Sequence, residues 1–174
     1  YPQMPTELVR SLRASRRYGY SNHAELSISF SSLENYVKDM ENALATGILS
    51  LEKEFYSPVR LRGSNHSRDY LSEGITYLEF RNFDINPFDK LGISQKTLDS
   101  FHLFLLSLLW LDDLKDSDQE LTKARQINEE VALAHPMSPL PDPELARPVL
   151  KAMTELIQHF GLDAYYQGLV ADLE

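Results

Sequence analysis

Residues 74–88 read GITYLEFRNFDINPF, and the rest of the chain is best read outward from them. From Ile75 to Arg81, β-branched, aromatic and aliphatic residues dominate, which is the composition of a strand. Side chains alternate between the faces of a strand, so Leu78 and Phe80 share one face and Tyr77, Glu79 and Arg81 the other. Glu79 and Arg81 then stand about 6.5 Å apart on that face. The apolar phase shifts afterwards to Phe83 and Ile85, which predicts a bulge or bend, and Asn86-Pro87 ends the strand.

An acid and an arginine beside a tyrosine on one strand face admit two readings. One is a solvated face with a cross-strand ion pair of little energetic weight. The other is a nucleotide site, in which a carboxylate oxygen binds Mg2+ and a guanidinium binds phosphate oxygens. The pattern by itself leaves both open.

Composition narrows the partners. A single chain of 174 residues with 43% apolar content fits one globular domain or a piece of a larger one. The net charge of −9 argues against nucleic acid or an anionic membrane as partner. That charge is unevenly placed: residues 1–81 are balanced, and they hold eight of the ten arginines. An arginine-rich half suits carboxylate or phosphate ligands, and equally a salt-bridged surface. The absence of cysteine excludes disulfides, thiolate metal sites and a cysteine nucleophile, and fits a cytoplasmic protein.

Along the chain, residues 1–22 are irregular and basic; on a helix, Arg10, Arg13 and Arg17 would share a face. Leu26–Phe30 alternates apolar and polar, the pattern of a half-buried strand. Ser31 or Ser32 can cap a helix carrying Leu33, Tyr36, Val37, Met40 and Leu44, with Gly47 as its stop. Glu54–Gly63 reads as a strand kinked at Pro58, with Arg60 and Arg62 on one face; an edge strand protected by charge is the alternative. His66 reads as a surface histidine, having no second ligand at helical or hairpin spacing.

A long helix is predicted from about Ser94 to Asp112, apolar almost all round and therefore buried. Asp112, Asp113, Asp116 and Asp118 after it fit a helix end and a solvated loop. A polar helix follows over about Ser117–Ala134, then a proline-rich loop. Pro148 suits the first turn of a last full helix, Val149–Phe160, stopped by Gly161, and a short helix fills the final eleven residues. Strands joined by short loops and followed by helices make the class α+β, antiparallel strands backed by helices.

The opening stretch resembles the G-I-x-Y-x-E-x-R-x-x-D-x-N-P-F segment of bacterial glutamate–cysteine ligases, the γ-glutamylcysteine synthetases. Two upstream segments fit in the same order, SLRASRRYGYSN at Ser11–Asn22 and EFYSPVRLRG at Glu54–Gly63. The resemblance runs through most of the chain and is strongest from Ser11 to about Asp113. It implies a fold like that of glutamine synthetase and the guanidino kinases, with an antiparallel sheet curved around the active site. It implies ATP and Mg2+ as cofactors and glutamate and cysteine as substrates.

By the same resemblance, Arg13 faces a substrate carboxylate, and Tyr20 and Tyr56 line the cysteine pocket. Arg60 lies near the nucleotide, Glu79 is a metal ligand, and Arg81 stabilises the transferring phosphate. Family members are much longer, with further acidic metal ligands in their N-terminal part. The resemblance therefore implies that residues 1–174 are a single C-terminal fragment of the ligase catalytic domain, strand-rich over 23–88 and helical over 94–174. The N-terminal remainder of the same enzyme would complete it, and the fragment alone would be inactive. The form fused to a glutathione synthetase domain is one candidate parent.

The residues themselves exclude some chemistry. No Gly-rich phosphate loop is present, and no Ser/His/Asp order marks a hydrolase. What remains is a sheet surface bearing Tyr20, Tyr56, Arg60, Glu79 and Arg81. Besides the glutamate–cysteine ligase, two readings stay open: a carboxylate–amine ligase with another amine, and a folded module that only binds or scaffolds.

Overall fold

Ser32 Oγ accepts a hydrogen bond from Asn35 N, and the cap starts helix α1, Leu33–Ala45. The computed structural model, which describes residues 5–22 and 26–173, builds one core on this helix. Apolar residues at three- and four-residue spacing give α1 a buried face of Tyr36, Val37, Met40 and Ala43. Ile28, Leu49, Phe55 and Tyr70 pack against it. Beyond α1 the chain turns at Gly47, whose φ of +76° suits glycine.

Strand β1, Val59–Arg62, is followed by the short helix α2, Tyr70–Glu73, and by strand β2, Tyr77–Phe80. The two strands pair antiparallel, with Arg60 opposite Glu79 and Arg62 opposite Tyr77. Opposed residues share a face, so these four lie together. The remaining helices are α3 (Gln95–Leu108), α4 (Ser117–Leu133), α5 (Arg147–Phe160) and α6 (Ala164–Ala171). Pro148 sits in the first turn of α5, and Gly161 ends it with φ +60°.

The chain divides into two units, Tyr1–Asp84 with Lys115–Pro139, and Ile85–Leu114 with Leu140–Glu174. The first holds α1, α2, both strands and α4. Its N-terminal segment is tied to the end of α4 by Arg10 N to Ala134 O at 3.0 Å and Ser11 N to Ala132 O at 3.1 Å. In the second unit α3, α5 and α6 pack around Leu103, Met153, Leu156, Ile157 and Val170.

The α+β composition is borne out as a helix-rich chain with a small two-stranded antiparallel sheet among the described residues. Three local expectations are corrected. Leu26–Phe30 is not a strand. Its amides go to carboxylates instead, Ser29 N to Asp39 Oδ2 at 2.9 Å and Phe30 N to Asp118 Oδ1 at 3.3 Å. Strand β2 ends at Phe80, short of the expected stop at Asn86-Pro87, although Arg81 N still donates across to Pro58 O at 2.8 Å. Helix α3 is not buried all round: Leu103 packs against α5 and α6, while Leu98, Leu106 and Leu108 stay exposed. Residues 23–25, at the start of the segment expected to be strand-rich, lie outside the described residues.

Candidate functional site

The arginine-rich segment is a tight loop seated on α4, not a helix. Ser15 is buried, and its Oγ donates to Glu129 Oε1 at 2.9 Å. Arg16 N donates to Glu129 Oε2 at 2.5 Å, and Gly19 N to Ser15 O at 2.9 Å. A Cβ on Gly19 would lie 2.1 Å from Arg13 O, so the loop closes only around glycine. The arginines consequently diverge. Arg10 donates to the Ser138 carbonyl, Arg17 lies over the Tyr18 ring, and Arg13 turns toward β2.

Arg13 donates from Nε at 3.1 Å and from Nη2 at 2.5 Å to the carbonyl of Arg81, the residue after β2. Asn22 fixes the chain before β1 in a similar way. Its amide nitrogen donates to Tyr56 O at 2.5 Å, and its amide oxygen accepts from Tyr56 N at 2.6 Å. This clamp sets the Tyr56 ring 5.6 Å from that of Tyr20, tilted by 34°. The Arg81 guanidinium carbon lies 5.7 Å from the centroid of the Tyr56 ring, a cation–π distance.

These groups surround a cavity of about 360 Å³, lined by four of the six residues expected at the site: Arg13, Tyr20, Tyr56 and Arg81. Helix α4 closes it with Leu121, Ala124, Arg125 and Asn128, which the helical period places on one face. Arg16 joins the wall from the loop. Four arginines therefore line the cavity, and among the described residues no Asp or Glu does. A concave wall with aromatic rings, aliphatic carbons and several guanidinium groups suits a small anionic or zwitterionic ligand.

Glu79 is held between arginines. Arg62 reaches one of its oxygens, and Arg81 Nε the other at 3.1 Å. The hydrogen bond from Arg62 lowers its pKa from the ordinary carboxylate range, so it is ionised at neutral pH. As a magnesium ligand it offers one carboxylate, already engaged by two cations. Among the described residues no group of three or more His, Cys, Asp or Glu could hold a metal ion. These residues alone do not fit a complete Mg2+ site.

Arg60 lines a different cavity, of about 250 Å³, together with Lys53, Arg62, Tyr36 and Tyr70. It is buried, and its Nη2 donates to Glu52 O at 3.5 Å. Burial, followed by the charges of Arg62 and Arg81, lowers its pKa, and Glu79 acts against that shift. Glu79 relates the two cavities, because Arg81 lines the first and Arg62 the second.

Sequence reading passed over Asn22, Arg16 and Arg125 as site residues. The signal for Arg125 was its place on the Leu121, Ala124, Asn128 face of an otherwise polar helix.

Residues 42–131 match the family model described as glutamate-cysteine ligase. The glutathione biosynthesis bifunctional protein GshAB of Streptococcus agalactiae serotype V is 52% identical over 166 residues, covering 95% of this chain and 22% of that protein. The GshAB protein of Streptococcus thermophilus is 47% identical over 174 residues, covering 100% of this chain and 23% of that protein. A crystal structure of a bifunctional glutathione synthetase from Pasteurella multocida superposes with a TM-score of 0.90 at 38% identity, over 98% of this chain and 22% of that one. The chain thus spans less than a quarter of the length of these relatives.

Proposed function

Because this chain belongs to the glutamate–cysteine ligase family, we propose that its first cavity receives the amine acceptor of an ATP-dependent ligase joining the γ-carboxylate of glutamate to the amine of cysteine. Amide formation from a carboxylate needs an activated acid, which ATP supplies as an acyl phosphate that the amine then attacks. The observation that carries the reading is the pairing of Tyr20 and Tyr56 in one cavity with four arginines and, among the described residues, no acid. Two phenol rings give a wall for a small side chain and two hydroxyls for its polar end. The arginines suit its carboxylate.

Each predicted residue then takes a role within this chain. Arg13 orients the Arg81 backbone and offers charge to a substrate carboxylate. Arg81, held by Glu79 and the Tyr56 ring, presents its remaining donors to the transferring phosphate. Arg60, in the second cavity with Lys53 and Arg62, serves the nucleotide phosphates. Glu79 would hold Mg2+ only together with further ligands from the remainder of the enzyme, and the ion would there supply charge to the nucleotide phosphates.

The chain is on this reading part of the ligase catalytic domain, and the two strands are part of a larger antiparallel sheet of the glutamine synthetase type. Relatives named as bifunctional glutathione biosynthesis proteins favour the fused form as parent. No helix among the described residues is long and apolar enough to cross a membrane.

The test is removal of each hydroxyl in the full-length enzyme. Tyr20→Phe and Tyr56→Phe should raise the KM for cysteine about ten- to a hundred-fold, as for a lost hydrogen bond to a charged group. The KM values for ATP and glutamate should stay near their starting points. Unchanged cysteine kinetics would make the tyrosines structural and favour a different amine.

A further inference from the structure

We propose that Arg125 on α4 binds the α-carboxylate of the amine acceptor and so sets the preference of the enzyme for an amino acid over a simple amine. The proposal rests on the acceptor reading of the first cavity. Its evidence is the state of the four guanidinium groups that line that cavity. Arg13 spends Nε and Nη2 on the Arg81 carbonyl. Arg81 is bound to Glu79 and lies over the Tyr56 ring. Arg16 is exposed. Arg125 is half-buried, and among the described residues its guanidinium has no hydrogen bond or ion pair.

The reason it lacks a partner is visible one turn along the helix. Glu129 stands four residues after Arg125, at the spacing of a helical ion pair. Its two oxygens are taken instead by Ser15 Oγ and Arg16 N, which seat the arginine loop. The loop thereby diverts the natural counter-charge and leaves Arg125 for a ligand. A guanidinium offers five donors in a planar fork matched to a carboxylate. Leu121 and Ala124 flank it on the same helix face, and the cavity holds about 360 Å³. Those surroundings fit a small zwitterion with an aliphatic stem and not a polyphosphate.

The role is separable from general damage by changing the acceptor. Cysteamine is cysteine without the carboxylate, so an interaction with that group contributes nothing to its turnover. In the full-length ligase, Arg125→Met should lower kcat/KM for cysteine about ten- to a hundred-fold while leaving kcat/KM for cysteamine within a factor of about two. Arg125→Lys keeps the charge and should keep part of the discrimination; it also serves as the readout if the methionine variant fails to fold. Equal losses for both amines, or no loss for either, would overturn the proposal, the former pointing to a structural or phosphate-binding arginine. A wild-type enzyme that releases no phosphate in response to cysteine would instead overturn the acceptor reading itself, and the two failures are told apart by that control.

Discussion

Arg62 meets Glu79 diagonally across the sheet, with Nε at 2.7 Å and Nη2 at 2.5 Å from the same carboxylate oxygen. The register explains the diagonal, since the residue opposite Arg62 is Tyr77. Such a contact fixes the carboxylate and also competes with any metal for it. If Glu79 ligates Mg2+ in the full-length enzyme, Glu79→Gln should raise the Mg2+ concentration for half-maximal rate by about ten-fold or more. Arg62→Gln should lower it, by freeing the carboxylate. Magnesium titrations of initial rate that stay flat for both variants would return Glu79 to a structural ion pair.

Arg81 is positioned by four contacts: its N–H donates to Pro58 O, its carbonyl accepts from Arg13, its Nε donates to Glu79, and its guanidinium lies beside the Tyr56 ring. Lysine keeps the charge but not the planar fork. Arg81→Lys should therefore reduce kcat more than it raises any substrate KM, which steady-state kinetics with ATP, glutamate and cysteine would read. An effect confined to KM would contradict a transition-state role.

Asn22 both donates to and accepts from the Tyr56 backbone, a pairing only an amide can make. Asn22→Asp loses the donor and faces the Tyr56 carbonyl with a negative charge. It should destabilise the chain by about 1–3 kcal/mol in urea unfolding and raise the KM for cysteine, although Asn22 acts only through Tyr56. A stability loss with cysteine KM unchanged would separate the clamp from the pocket.

Tyr36 is buried on the core face of α1 between Phe30 and Phe55, and burial, then the nearby Tyr70, pushes its pKa up to about 12. The folded state thus holds the phenol proton more tightly than the unfolded chain, which releases it near pH 10. The resulting stability is fully present below pH 10 and is lost as pH rises from about 10 to about 12. The loss should reach roughly 2–3 kcal/mol. Tyr36→Phe should flatten the urea midpoint over that range, and an unchanged alkaline slope would assign the loss to other groups.

Much of the scaffold was legible because local chemistry dictates it. The Ser32 cap, the apolar period of α1, Pro148 in the first turn of α5 and the left-handed Gly161 all act within a few residues of themselves. The gathering of Arg13, Tyr20, Tyr56 and Arg81 in one cavity came from matched segments, not from periodicity. What escaped depends on distant partners. Leu26–Phe30 alternates as a strand does, but Asp39 and Asp118 claim its amides. Arg125 reads as one charge of a solvated helix until Glu129 is seen to be occupied by a loop more than a hundred positions earlier. Helix α3 has the composition of a core helix, yet burial is a property of neighbours, and α5 and α6 cover one side of it.

The chain crosses between its two units three times, after Asp84, Leu114 and Pro139. Translation therefore delivers both strands and the arginine loop well before the helix that closes the cavity over them. Ser15 waits 114 positions for Glu129. At ordinary elongation rates that interval lasts roughly 6–20 seconds. During it the nascent chain displays Tyr20, Tyr56 and a cluster of guanidiniums on a half-built wall. A ribosome stalled before residue 117 would leave a product that carries Arg13, Tyr20, Tyr56 and Arg81 but lacks Arg125 and the helix that closes the cavity.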